Sequence, residues 1–562
     1  MADARAKELT DLGTGMFSKR QPLDGLLQEL AENFYPERAS FTSELSLGDD
    51  FAAHLMDSYP ILMRRELGNA ISAMLRPRNT PWFGASMQDD RLDEAPANAQ
   101  WLEAHSRKIK KQMYHPMTQF IRASKEGDHD FVTFGQDVTS IEERPDRMGL
   151  LYRNWHLRDN AWLENDTGVI DHNHRKDKMS ARNMKRKFGE GKLHESVKKA
   201  CEKNPAQTFN IRHVVMPSDE YDYVSKGQDK PKNRLPFVSI YIDADNCEIL
   251  REGGLPFFPY IISRWHTISG SQYAFSPATI VALPDARLAQ QMGRIILEVG
   301  EKQVDPPLIA TEDAIRSDID LRSGAITYVD YAYDEKLGEA LRKVDITGDM
   351  RTAFEMRQDF REMLTQAFFV NKLTLPQPEG ADQMTAYEVG RRVEEFARAA
   401  LPLFEPMEVE KNAQLLDKTH FALMNMGLLS FKDAPPDIQE RQNELTFSFE
   451  SPIQAAADRV RVSQFAEVMQ LLAGAMAQDE QGNTVTGISV NPVDMDTMLK
   501  DAIRGTGAPA DWMKTDGAME AEDEANQQQQ SLQQGAELVA QGAGVAGVVG
   551  ESTTKLREAG LI

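Results

Sequence analysis

One stretch, Pro259 to Pro307, passes from strand chemistry to helix chemistry with no linker between them. Any fold for this chain must therefore root a long helix directly on a β-rich body. Phe257 to Trp265 is dense in aromatic and β-branched residues, which suit a pleated, half-buried surface. Ser269-Gly270-Ser271 and Ser276-Pro277 supply turns, and Pro284 suits a first helical turn, where its missing N–H would have no partner anyway. Leu288, Met292, Ile295, Ile296 and Val299 then recur at helical spacing until Asp305-Pro306-Pro307 stops the run. The pattern predicts one protruding amphipathic helix.

Upstream, Gln21 to Tyr35 and Phe51 to Leu75 have apolar residues at helical intervals, and Asp93 to Arg122 reads as a third, highly charged helix. Gly127 to Asp130 reads as a turn into a strand over Phe131 to Ile141. Further strands are expected at Leu150 to Leu157, Trp162 to Asp171 (with a turn at Asn165-Asp166-Thr167-Gly168), Phe209 to Met216 and Phe237 to Leu250. Downstream, short strands are expected at Leu308 to Thr311 and Ala325 to Tyr331, and a second helix from about Asp349 to Phe369. Asn371 to Gln383 is too polar and proline-broken for regular structure. Thr385, with Glu388 three residues on, forms a capping box for a following helix that Pro402 and Pro406 should kink. Helices are expected again over Ser451 to Ala475 and Pro492 to Ile503, before an acidic, Gln-rich and then Ala/Gly-rich tail from Met519. The fold class is α+β, and 562 residues exceed what one core usually supports.

Composition narrows the function. Cys201 and Cys247 are the only cysteines, too few for a disulfide framework or metal cage, and they point to a reducing compartment. No apolar run approaches the ~20 residues that span a bilayer, and MADARAKELTDLG has no signal-peptide pattern, so no membrane association is expected. A net charge of −23 argues against gripping nucleic acid through counterion release. The concentrated basic run is His172 to Lys203; it reads as a solvated helix, with a subunit contact or a DNA-facing patch as alternatives. His172-Asn173-His174 suggests a metal-dependent, HNH-like nuclease, but adjacent letters do not make converging ligands with an open metal position. Gly189-Glu190-Gly191 is too short for a phosphate loop, and no Gly-x-Ser-x-Gly elbow is present. No cofactor and no catalytic activity are expected.

The order of motifs resembles a known family. Pro259-Tyr260 with Arg264-Trp265, then Gly270, Tyr273 and Ser276-Pro277, then Leu283-Pro284-Asp285 opening a long helix, is similar to the portal, or head-to-tail connector, proteins of short-tailed bacteriophages (podoviruses). Thr385, Glu388, Arg392 and Glu395 within MTAYEVGRRVEE resemble a second family block. Arg76-Pro77 with Pro81-Trp82-Phe83, and Gly168-Val169-Ile170-Asp171 with Arg175 and Phe188-Gly189, fit in order as well. The resemblance implies an elongated, multi-lobed subunit in a cyclic ring of about twelve copies around a central channel. It divides the chain into a wing (1–280), a first stem helix (281–303), a clip (304–346), a second stem helix (347–370) and a tunnel loop (371–383). A kinked long helix with the rest of the wing (384–450), crown helices (451–515) and a tail (516–562) complete it. It implies double-stranded DNA passing through the channel, contacted weakly by the tunnel-loop residues Asn371, Lys372, Thr374, Pro376, Gln377, Glu379 and Asp382. The implied partners are the terminase large subunit, scaffolding protein, major capsid protein and tail adaptor proteins, at a capsid vertex of a virion assembled in bacterial cytoplasm. Another head-assembly protein is the remaining alternative.

Overall fold

A computed structural model describes residues 3–46, 48–224, 235–310, 328, 341–343, 350–373 and 405–449. The chain divides into two compact units, Met1–Thr80 with Gln112–Met426, and Pro81–Lys111 with Gly427–Ile562.

In the first unit, α1 (Ala4–Phe34) is capped by Asp3, whose carboxylate accepts from the Arg5 N–H at 3.0 Å. It begins well before the expected Gln21, and its buried face there carries Ala6, Leu9, Gly13, Met16 and Phe17. The next helix, α2 (Tyr59–Leu75), starts at Pro60 in its first turn, and residues 51–54 form a turn where helix was expected.

The expected helix over Asp93 to Arg122 is broken. It divides into α3 (Asp90–Glu94), α4 (Pro96–Met113) and a 3-10 turn at Pro116–Thr118, with prolines at the breaks. It is followed by α5 (Phe120–Phe134), which replaces the expected turn at Gly127 to Asp130 and the start of the expected strand. Asp128, His129, Asp130 and Thr133 of α5 are all buried, so polar letters that read as a surface turn lie inside the unit. Gly135 ends the helix at φ 75°, and an added Cβ there would collide with the Phe275 backbone.

Two antiparallel sheets follow. The three-stranded sheet has the order β3-β2-β9, from β2 (Gln136–Glu143), β3 (Leu150–Trp155) and β9 (Tyr260–Arg264). The five-stranded sheet runs in sequence order through β4 (Asn160–Glu164), β5 (Ile170–Ser180), β6 (Thr208–Pro217), β7 (Phe237–Asp243) and β8 (Glu248–Leu255). Strands β6 and β7 match the expected ones, β8 runs past the expected end at Leu250, and the expected Trp162 to Asp171 stretch divides at its turn into β4 and β5, of which β5 carries the start of the basic run. His172, Asn173, His174 and Arg175 are buried in this strand, and only the later part of the run is helical, as α6 (Ala181–Phe188) and α7 (Glu195–Lys203). The expected solvated helix over the whole run is therefore corrected. One face of the sheet packs on α1 and on α8 (Ser218–Val224) through Ala6, Leu9, Val214, Tyr221 and Ile240. Another cluster joins Ala181, Met184, Val197 and Ala200 to Phe209, Ile211 and Tyr241.

The organising stretch behaves as expected. After the short strands β10 (His266–Thr267) and β11 (Ala274–Phe275), a π-turn at Ala278–Ala282 leads into α9 (Leu283–Val304). The strand β12 (Leu308–Ala310) pairs antiparallel with β13 (Leu341–Lys343), and α10 (Met350–Ala367) returns against α9. Of the strand expected at Ala325 to Tyr331, only Tyr328 is among the described residues. The polar segment expected to start at Asn371 is corrected at its edge: α11 (Val370–Leu373) is helical. A second π-turn, Glu408–Ala413, leads into α12 (Gln414–Asn425).

In the second unit, β1 (Phe83–Met87) pairs antiparallel with β14 (Leu445–Phe449). Met87 and Leu102 pack there with Ala434 and Ile438, the latter on α13 (Pro436–Glu440), and Trp101 stacks on Phe431 at 5.5 Å.

Candidate functional site

The residues of the first motif block, Arg264 to Asp285, converge on the root of α9. Arg264, at the end of β9, donates to Glu164 at 2.6 Å, to the Gly168 carbonyl at 3.1 Å and to Glu410 at 3.4 Å. One guanidinium thereby joins the β4–β5 turn to the second π-turn, a use its planar set of donors suits. The Trp265 ring stacks on Phe131 at 5.0 Å, and its backbone N–H donates to the Gly135 carbonyl at 2.8 Å. Tyr273 packs on Trp162, and Gln272 and Trp162 exchange hydrogen bonds at 2.9 and 3.2 Å. Ser276 donates to the Thr133 carbonyl at 2.8 Å and accepts from the Thr279 N–H at 3.2 Å, fixing the turn that Pro277 begins. Gly270 supplies a left-handed turn residue at φ 88°. Leu283 is buried, Pro284 stands in the first turn of α9, and Asp285 places an acid at its N-terminus. Together these contacts bind the long helix to the body.

A second set of contacts, far apart in sequence, clamps the pair α9 and α10. Gln290 on α9 accepts from the Met56 and Asp57 N–H groups at 2.7 and 2.9 Å and donates to the Asp57 carbonyl at 2.7 Å. Arg361 on α10 holds the Asp57 carboxylate through its Nη2 at 2.9 Å and its Nε at 3.2 Å. Tyr59 reaches Thr365 at 2.6 Å, and Gly293 leaves room for Met56. No local pattern in the sequence signals this clamp, because its partners lie more than two hundred residues apart.

Beneath both sits a buried ionic network. Lys411, from the second π-turn, lies 3.0 Å from Asp137 and 3.3 Å from Asp128, with all three side chains at most 2% exposed. Arg76 pairs with Asp128 and donates to Asn412 at 3.0 Å, while Ser263 and Thr139 donate to Asp137. Two cations balance two carboxylates, which is what makes burial of such a cluster tolerable. Gly127 is glycine because a Cβ there would crowd Lys411 and Asp137. Nearby, burial pushes Asp130 up to about 6 against the opposing pull of Arg38, which pairs with it at 3.0 Å.

The His172-Asn173-His174 segment lies within β5. His172 and His174 share one face of β5 with their Nε2 atoms 3.0 Å apart, and His172 Nδ1 lies 3.2 Å from Glu220. The Glu220 carboxylate can only accept, so His172 Nδ1–H donates to it. Three of the four imidazole nitrogens are thus spent on each other and on a carboxylate, His174 Nδ1 has no hydrogen-bond partner among the described residues, both rings are buried, and Gly13 of α1 sits over His174. Among the described residues no group of three or more His, Cys, Asp or Glu is placed to hold a metal.

Asn371 lies in α11; Lys372 also lies in that helix, but of its side chain nothing is described. Thr374, Pro376, Gln377, Glu379 and Asp382, and the second motif block with Thr385, Glu388, Arg392 and Glu395, lie outside the described residues.

What the site defines is a structural element, a long helix pair clamped at its base to an α+β body. The protein matches the family of bacteriophage head to tail connecting proteins over residues 6–513, and it belongs to that family. It is similar to a portal protein of Salmonella phage epsilon15, 22% identical over 450 residues that span 78% of this chain and 77% of that one. Among solved structures, a chain from the virion of a native gene transfer agent particle aligns at a TM-score of 0.33 and 9% identity, over 77% of this chain and 90% of the other. The chain functions as a viral portal, and its family is a structural one. No described helix is long and apolar enough to cross a membrane.

Proposed function

We propose that about twelve copies close into a ring at one capsid vertex, with α9 and α10 as the stem around a DNA channel. The observation that carries this reading beyond family membership is the unpartnered apolar surface of the helix pair. Leu288 and Ile295 of α9 lie seven residues apart at 42% and 47% exposure, Val281 of the preceding π-turn is 51% exposed, and Phe354, Met356 and Met363 are similarly exposed on α10. Head-to-tail contacts between copies would bury this apolar surface.

In this reading residues 1–280 and 384–450 build the wing, 304–346 the clip outside the capsid, 451–515 the crown, and 516–562 a tail. The clip receives the terminase large subunit during packaging and tail adaptor proteins afterwards. Scaffolding protein and major capsid protein meet the ring during assembly in the host bacterial cytoplasm. Double-stranded DNA enters and leaves through an acidic channel that offers phosphates few places to stick.

The segment 371–383 is the tunnel loop, contacting DNA weakly. Lys372 is its only cation, and Glu379 and Asp382 would repel a phosphate. Replacing Leu373 to Ala381 with a short Gly-Ser linker is expected to leave ring assembly intact and to reduce the yield of stably filled heads. Normal yields of filled heads from the linker variant would refute the channel role, and loss of rings would make the segment a subunit contact.

A further inference from the structure

The basic hairpin α6–α7 is not explained by the channel. Residues 181–203 hold eight Lys and Arg against three Glu, a net of +5 in a chain of −23, which leaves −28 on the remainder. The hairpin packs on the sheet through Ala181, Met184, Leu193, Val197 and Ala200, so its charged side faces away from the body. Lys185 pairs with Glu190 at 3.0 Å, and Lys199 with Glu195 at 3.9 Å. Arg182, Arg186, Lys192 and Lys203 are exposed and have no ion pair among the described residues.

Helix electrostatics account for only part of this. Arg186 and Lys203 sit in last turns, where the macrodipole favours cations. Arg182 is in the first turn of α6, the unfavourable end, and Lys192 is in the connection between the helices. Among the described residues nothing rewards those two charges.

We propose that this hairpin is an electrostatic latch that docks on an acidic surface of a second copy of the chain. The inference rests on the ring reading and names one of its contacts. Each copy carries −28 outside the hairpin, so acidic surface is what a neighbour has most of, and head-to-tail contacts bring different faces together.

The test compares assembly of the full chain with that of R182E/R186E/K192E/K203E and of R182Q/R186Q/K192Q/K203Q, by sedimentation at 0.1 M salt. Half-assembly is expected to need roughly 100-fold more protein for the reversed variant and roughly 10-fold more for the neutral one. Wild type in 1 M NaCl should shift the same way, because the screening length falls to about 3 Å. Circular dichroism establishes that both variants are folded, and the neutral variant serves if the reversed one is not. Wild-type rings with both variants assembling at the wild-type concentration overturn the latch alone. A wild type that stays monomeric at every concentration overturns the ring reading and the latch with it. Unchanged assembly together with hairpin-dependent binding of a short DNA duplex, read by fluorescence anisotropy, would assign the surface to phosphates and overturn the proposal.

Discussion

Replacing Lys411 with methionine is expected to destabilise the protein by about 3–5 kcal/mol, since it leaves a buried carboxylate uncompensated. Lys411 stands between Asp128 and Asp137, and Arg76 alone cannot neutralise both. The second π-turn brings this lysine inward, so its loss should also loosen the hold of Arg264 on Glu410 in the same turn. Adding Asp137→Asn to the lysine variant restores neutrality, and about half the lost stability should return, as a coupled pair requires. Denaturant unfolding of the single and double variants reads both effects. A loss below about 1 kcal/mol for the single variant would mean that the cluster is not a closed ionic network.

Stability should fall steeply as pH drops from 6.5 towards 4. Burial depresses His129 to about 4, aided by Arg64, and His420 to about 4; with Arg38 it depresses His156 to about 3. Burial likewise pushes His174 and His213 well below the ordinary range. Below pH 6.5 the unfolded chain takes up protons that these folded sites refuse, so each removes up to about 1.4 kcal/mol per pH unit. Asp130 works in the opposite sense. Its folded carboxyl takes a proton near 6, before the unfolded group does, and so offsets about one histidine between pH 6 and 4. The net slope is on the order of 4–5 kcal/mol per pH unit at its steepest. Urea midpoints at constant ionic strength at pH 7.5, 6 and 5 measure it, and midpoints that hold level or rise on acidification would contradict it.

Elements governed by local chemistry were legible in the sequence. The long helix expected from Pro284 to Asp305 is Leu283–Val304, and the helix expected from about Asp349 to Phe369 is Met350–Ala367. Both have strong apolar periodicity, and Pro284 and Asp305-Pro306-Pro307 mark the first one's ends. The strands Phe237–Asp243 and Thr208–Pro217 were legible for the same reason. The failures at α5 and β5 share one cause, burial of polar residues by distant partners. In α5, Asp128 is paired with Arg76 and Lys411, and Asp130 with Arg38, none of them a sequence neighbour. β5 is similar: Arg175 lies buried over the Trp155 ring at 3.6 Å, which a reading of charges as solvated surface cannot foresee. In the candidate site, Arg264, Trp265 and Ser276-Pro277 stood out as a motif, but their partners Glu164, Glu410, Phe131 and Thr133 did not. The Asp57 clamp gave no signal at all.

The central claim is that this chain closes on itself into a ring with a central channel. Electron micrographs of the purified full-length protein, viewed down the particle axis, test it most directly. The account predicts closed rings of about twelve subunits around a stain-filled centre. A uniform population of single subunits at high protein concentration would contradict it.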